Sequence, residues 1–162
     1  MTPISLSSLL APERIRVGLA VASKDALLDA LVDLLDGAPA VDDLDALREA
    51  VWTREQQMST GVGLGLALPH ARTDAASSTL AAFATLAEPV PYGALDGQPV
   101  TMALLLAGPE TDRRRHLRLL SHVSLVMSDQ GVRSQLAAAG GAAEVQRVIE
   151  AAERESSAPA VP

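Results

Sequence analysis

A chain of 162 residues accommodates one domain with a real hydrophobic core, and 48% of this chain is apolar although aromatics supply only 2%. The core must therefore be built from Leu, Val and Ala, while a net charge of −7 and a shortage of rings for base stacking disfavour nucleic-acid binding. Without cysteine there is no disulfide, thiol nucleophile or thiolate-ligated metal; with no signal-like start and no apolar run of about 18 residues, a cytoplasmic protein without direct membrane insertion is expected.

Residues 1–14 carry no strong periodicity, whereas 15–21 (Ile-Arg-Val-Gly-Leu-Ala-Val) alternate well enough for a first strand. From Ser23 the period changes. Leu27, Leu28, Leu31, Leu34 and Leu35 recur at helical spacing, with Ser23 placed as N-cap and Gly37 as stop. Pro39 breaks the pattern, and Asp42 or Asp43 caps a second helix in which Leu44, Leu47, Val51 and Met58 share a stripe. Arg54 falls on the same stripe, where a guanidinium needs either an exit to solvent or an anionic partner.

The next stretch, Ser59-Thr60-Gly61-Val62-Gly63-Leu64-Gly65-Leu66-Ala67-Leu68-Pro69-His70-Ala71-Arg72-Thr73-Asp74, organises the rest. Its glycines allow backbone N–H groups to approach a ligand closely. Pro69 fixes its own φ and drives Leu68 toward an extended conformation, so His70 is expected to follow a strand on a stiff base. Downstream, 79–86 reads as a strand, Glu88-Pro89-Val90-Pro91-Tyr92-Gly93 excludes helix, and Val100 to Ala107 reads as a strand covered on both faces.

Thr111 or Asp112 caps a helix over 113–128 with a stripe of Leu117, Leu120, Val123, Val126 and Met127. At about 100° per residue His116 lies within that stripe, and His122 lies toward the polar side, as a surface residue. Gly131 separates a short helix over 132–139, and 143–154 forms a last helix with Val145, Val148 and Ile149 inward. The alternation of helices and strands points to an α/β single domain with a central mixed β-sheet flanked by helices, spanning 1–155, with 156–162 as a disordered tail.

The chemistry open to this chain is narrow. Zinc is disfavoured because His116 and His122 are badly spaced for joint ligation; no Gly-x-Ser-x-Gly elbow, P-loop ending or dinucleotide fingerprint occurs. His70 as a nucleophile remains, since a neutral imidazole attacks a phosphoryl group directly, with a structural histidine as the plain alternative.

Thr53-Arg54-Glu55, Ser59-Thr60-Gly61-Val62-Gly63 and Ala67-Leu68-Pro69-His70-Ala71-Arg72 resemble the phosphorylation region of enzyme IIA of the phosphoenolpyruvate-dependent sugar phosphotransferase system, fructose/mannitol type, including its nitrogen-regulatory branch. Asp96-Gly97-Gln98-Pro99-Val100 and His116-Leu117 extend the resemblance, which covers about Lys24 to Glu150. It implies a mannitol/fructose-type IIA fold and a catalytic set of His70, His116 and Arg54. By the same resemblance, His70 is expected to be phosphorylated by the phosphocarrier HPr and to pass the group to a IIB cysteine of a sugar permease, with His116 supporting the phosphorylated ring and Arg54 holding negative charge. Thr60 is a candidate hydroxyl donor, while Arg72 and the run Arg113-Arg114-Arg115 are candidates for steering an acidic partner. No cofactor or metal is expected. A regulatory role of the nitrogen type and a non-phosphorylated interaction module are the alternatives. Where family members often carry a polar residue, commonly Asn, this chain has Leu64.

Overall fold

In the computed structural model, which describes residues 5–157, a six-stranded mixed sheet carries helices on both faces. In chain order the elements are β1 (Ile15–Leu19), α1 (Lys24–Asp33), α2 (Leu44–Gln57), β2 (Gly61–Gly63), β3 (Leu66–Ala67), β4 (His70–Arg72), β5 (Leu80–Val90), β6 (Val100–Gly108), α3 (Arg113–Met127), α4 (Gln130–Ala138) and α5 (Ala142–Ser157). The strand order is β1-β5-β6-β3-β2, and β4 also pairs with β6. The antiparallel β5–β6 pair forms the centre; β1 runs parallel to β5, while β3 and β4 run parallel to β6.

Alternation along the two central strands divides the core into two layers. Ala81, Phe83, Leu104 and Leu106 face α3, α4 and α5, together with Leu6 and Leu10 from the N-terminal segment. Ala82, Ala84, Ala103, Leu105 and Ala107 face α1 and α2, which contribute Leu27, Leu28, Leu31, Leu47 and Val51. The preference for alanine on this second face lets the α1/α2 layer sit close to the sheet. Each fully buried leucine contributes about 1.5–3 kcal/mol relative to exposure, so a core almost without rings still suffices.

Local chemistry accounts for the helix starts. The Ser23 hydroxyl accepts the Ala26 N–H at the head of α1, and the Asp43 carboxylate accepts the Ala46 N–H at the head of α2, which decides between the two candidate caps. Asp112 precedes α3 without a side-chain cap, after a 3-10 turn over Glu110–Asp112. Asp129 caps α4 through the Gly131 and Val132 N–H groups, so Gly131 lies inside that helix.

Several expected stripes shift. On α2 the buried face is Leu47, Val51 and Glu55, whereas Met58 ends the helix and is exposed. On α3 it is His116, Leu119, Val123, Val126 and Met127, and Leu117 is half exposed. The N-terminal segment forms two 3-10 turns that bury Leu6 and Leu10. α5 continues through Ser156 and Ser157, and 158–162 lie outside the described residues. Among the described residues no helix is long and apolar enough to cross a membrane.

Candidate functional site

β3 and β4 run along β6 as one strand with a two-residue interruption, and β2 covers the outer side of β3. Leu66 pairs with Met102 and Ala67 with Ala103; after Leu68-Pro69, His70 resumes the same register against Leu106, followed by Ala71 on Ala107 and Arg72 on Gly108. Pro69 has no N–H to donate, yet its carbonyl accepts the Leu106 N–H at 3.0 Å and keeps the strand in register. His70 therefore opens a second strand segment instead of following the last residue of a strand. With period-two alternation it shares a face with Leu66 and Leu68, the face covered by α3.

The connection after β6 brings the second histidine to this point. The chain leaves the sheet at Gly108, beside Arg72, makes its 3-10 turn and enters α3, whose first turn returns His116 to His70. Their ring centroids are 5.6 Å apart at an interplanar angle of 50°. His116 is buried, and neither of its ring nitrogens has a hydrogen-bond partner among the described residues. Burial first, then the neighbouring His70 and Arg72 charges, push its pKa down to about 4, so the ring is neutral near pH 7.

His70 is turned the other way. Its Nδ1 lies 2.8 Å from the Leu68 carbonyl oxygen. A carbonyl only accepts, so Nδ1 carries the proton and Nε2 keeps its lone pair. Burial lowers the His70 pKa below its ordinary value; the Leu68 contact and Glu55 oppose this, and Arg54 adds to it. A neutral imidazole with a fixed tautomer results.

Both rings line a cleft of about 620 Å³ between α2 and α3 at the sheet edge. Arg54 reaches it from the last turn of α2, its Nη1 donating to the Met58 carbonyl at 3.0 Å, and has no carboxylate partner among the described residues. Its stripe position is resolved by exit to the cleft. Arg72 and Arg113 stand on the same wall system, so a net acidic protein presents three guanidinium groups around one histidine pair. The chemistry of such a lining, three guanidinium groups beside an imidazole nitrogen with a free lone pair, suits a small, highly charged anion.

Residues 8–152 match the family model described as phosphoenolpyruvate-dependent sugar phosphotransferase system, EIIA 2. The chain belongs to this type-2 EIIA family. It is 36% identical to the fructose-specific EIIA component of Haloferax volcanii, over 92% of either chain. Among solved structures it is similar to the nitrogen regulatory protein IIA-Ntr of Neisseria meningitidis, with a TM-score of 0.83, 30% identity and coverage of 88% of this chain and 97% of that one. It shares its fold with the IIA chain in a complex of Escherichia coli IIA and phosphorylated IIB of the mannitol system, with a TM-score of 0.76, 20% identity and coverage of 88% and 99%.

Other expected contributors to this EIIA site sit elsewhere. The Thr60 hydroxyl is buried and donates to the Glu55 carboxylate, with the Tyr92 hydroxyl 3.0 Å away, so it does not reach the His70 ring. The glycines serve chain packing: a Cβ on Gly61 would lie 2.8 Å from Ala94, and Gly63, at φ 95°, faces Asp96. None of the three glycines lines the cleft. His122 is half-buried, with Nε2 2.6 Å from Glu153 Oε2, and Glu153 also accepts the Leu6 and Ser7 N–H groups. That histidine is a fastener for the N-terminal segment instead of a surface residue.

Proposed function

We propose that this EIIA protein is a histidine phosphocarrier: His70 accepts a phosphoryl group from phospho-HPr and delivers it to a IIB cysteine for fructose- or mannitol-type sugar uptake. The observation that carries the reading is the orientation of the two rings. Nδ1–H of His70 is engaged with Leu68, which leaves the Nε2 lone pair for attack, beside a buried, neutral His116 whose ring nitrogens have no partner among the described residues.

The step is a balanced displacement. The Nε2 lone pair forms a bond to phosphorus while the donor's bond to phosphorus breaks, and the donor departs with that electron pair. His70 keeps its proton on Nδ1 throughout. Arg54 is placed for the phosphoryl oxygens as a two-pronged donor, and a His116 N–H gains in this phosphorylated state the acceptor it lacks beforehand. Arg72 and Arg113 add positive potential to the entrance. In the second transfer a IIB thiolate attacks the same phosphorus, the N–P bond breaks, and His70 returns as the neutral tautomer. Sugar passage belongs to the membrane permease component of such a system.

Similarity to a nitrogen regulatory IIA supports a second reading, in which the phosphorylated and free forms bind different partner proteins. Mixing the phosphorylated chain with a fructose-type IIB distinguishes them. Loss of the group from this chain with matching gain on the IIB cysteine supports transport; a labelled chain that gives nothing to IIB favours regulation.

A further inference from the structure

The phosphoacceptor's tautomer rests on a single carbonyl, and that carbonyl is held by a buried charge pair outside the cleft. Glu55 is 7% exposed at the end of α2, although it is a carboxylate. Its Oε1 lies 2.8 Å from Lys24 Nζ, and Lys24 also donates to the Tyr92 carbonyl at 3.2 Å and sits 4.3 Å from the Tyr92 ring centre. The same carboxylate grips Thr60 twice: Oε1 accepts the Thr60 N–H at 2.9 Å, and Oε2 accepts the Thr60 hydroxyl. The Thr60 carbonyl in turn accepts the Leu68 N–H at 2.9 Å, and the Leu68 carbonyl accepts His70 Nδ1–H.

We propose that Glu55 is the positioning residue of the phosphoacceptor: the Lys24–Glu55 pair clamps Thr60, Thr60 anchors Leu68, and Leu68 holds His70 with its proton on Nδ1. A buried ion pair is a weak device for stability, because apolar residues of similar size usually serve as well. What the pair supplies is direction. A carboxylate that accepts from both the N–H and the hydroxyl of one residue fixes that residue's backbone nitrogen and Cβ, and with them the base from which its carbonyl reaches the Leu68 N–H. At the Leu68-Pro69 interruption the sheet holds the Pro69 carbonyl through the Leu106 N–H, while Pro69 has no N–H to donate and the Leu68 N–H turns to Thr60. Burial opposes the charge on Glu55, but Lys24 and the Thr60 bonds outweigh it and keep the carboxyl below its ordinary range. The clamp is thus charged at neutral pH.

The inference rests on the phosphocarrier reading for its consequence but not for its readout. The test uses the full chain with Glu55→Gln, and with Thr60→Val, which leaves the Lys24–Glu55 pair in place. NMR of the imidazole nitrogens reports the His70 tautomer, thermal melting reports folding, and phosphorylation is followed against phospho-HPr concentration. In the wild type the Nδ1–H tautomer dominates. Both variants are expected to gain a population protonated at Nε2, and their saturating rate to fall by about tenfold with little change in the half-saturating phospho-HPr concentration, the pattern of a misplaced nucleophile. If Glu55→Gln fails to fold, Thr60→Val decides. Folded variants with the wild-type tautomer and rate, even at a lower melting temperature, overturn the proposal. A wild type that shows the Nδ1–H tautomer but takes no phosphoryl group defeats the carrier function, and the tautomers of the variants still decide the role of Glu55.

Discussion

His116 faces His70 with ring centroids 5.6 Å apart, and it is the member of the pair whose nitrogens are both buried and unpartnered among the described residues. An orphaned buried polar group costs roughly 1–3 kcal/mol. The unphosphorylated state bears that cost, and a phosphoryl oxygen removes it. Replacing His116 by Leu, of similar size, should therefore raise stability at pH 7 by about 1–2 kcal/mol while slowing phosphoryl transfer by about a hundredfold, as loss of an oxyanion donor does. Urea unfolding and a transfer assay on one preparation check both halves.

The same residue predicts an acid sensitivity. The folded-state pKa of His116 is pushed down to about 4, while the unfolded chain titrates near the ordinary value of about 6.5. Between those values the unfolded state binds a proton that the native state refuses, so stability falls as pH drops from about 6.5 toward about 4, by up to roughly 3 kcal/mol. The His116→Leu variant lacks this share. Its advantage over the wild type should widen on acidification, which urea midpoints at pH 7 and pH 5 would show; a constant gap contradicts the assignment.

Among the described residues Arg54 makes one side-chain hydrogen bond, to the Met58 carbonyl, and it lines the cleft. Arg54→Ala should change stability by less than about 1 kcal/mol. Phosphorylation, in contrast, should slow by about a hundredfold in Arg54→Ala and about tenfold in Arg54→Lys, because lysine retains the charge and loses the planar fork. Equal rates for all three proteins would remove Arg54 from the site.

Much of this arrangement was legible in the sequence where the signal is local. The Ser23 cap, the helix that buries Leu27, Leu28 and Leu31, the doubly covered run from Val100 and the Pro-His step all follow from spacing and from residues with restricted geometry, although the helix ends at Asp33, before Leu34 and Leu35. The mixed sheet was expected from the alternation of helices and strands, and the meeting of His70, His116 and Arg54 from the resemblance; both are present as geometry. What escaped depends on distant partners. Glu55 stood only as a member of the Thr53-Arg54-Glu55 motif because its ammonium partner is on α1, His122 looked exposed because Glu153 lies on α5, and Leu6 and Leu10 flank a 3-10 turn without a period to detect. Thr60 was expected at the nucleophile because neighbours in sequence were taken as neighbours in space, whereas the hairpin carries its hydroxyl toward Glu55.

Leu64 is a non-glycine residue at positive φ, 61°, and is largely exposed at the β2–β3 turn. A left-handed conformation costs an ordinary L-residue about 1–2 kcal/mol, less for Asn, whose short polar side chain bonds locally. The polar residue common here in the resembling family thus has a backbone reason. Leu64→Asn should stabilise the chain by about 0.5–1 kcal/mol and leave phosphorylation unchanged, since Leu64 does not line the cleft. Thermal melting and a phosphorylation time course check the two parts; a lower melting temperature refutes the strain argument.

The account stands or falls on His70 as the phosphoacceptor. Wild type, His70→Ala and His116→Leu, each shown to be folded, are incubated with phosphoenolpyruvate, enzyme I and HPr and weighed intact. The wild type should gain one acid-labile phosphoryl group, His116→Leu should gain it slowly, and His70→Ala should gain none. A folded wild type that stays unlabelled under conditions that label an established IIA, or a His70→Ala chain labelled like the wild type, contradicts the mechanism.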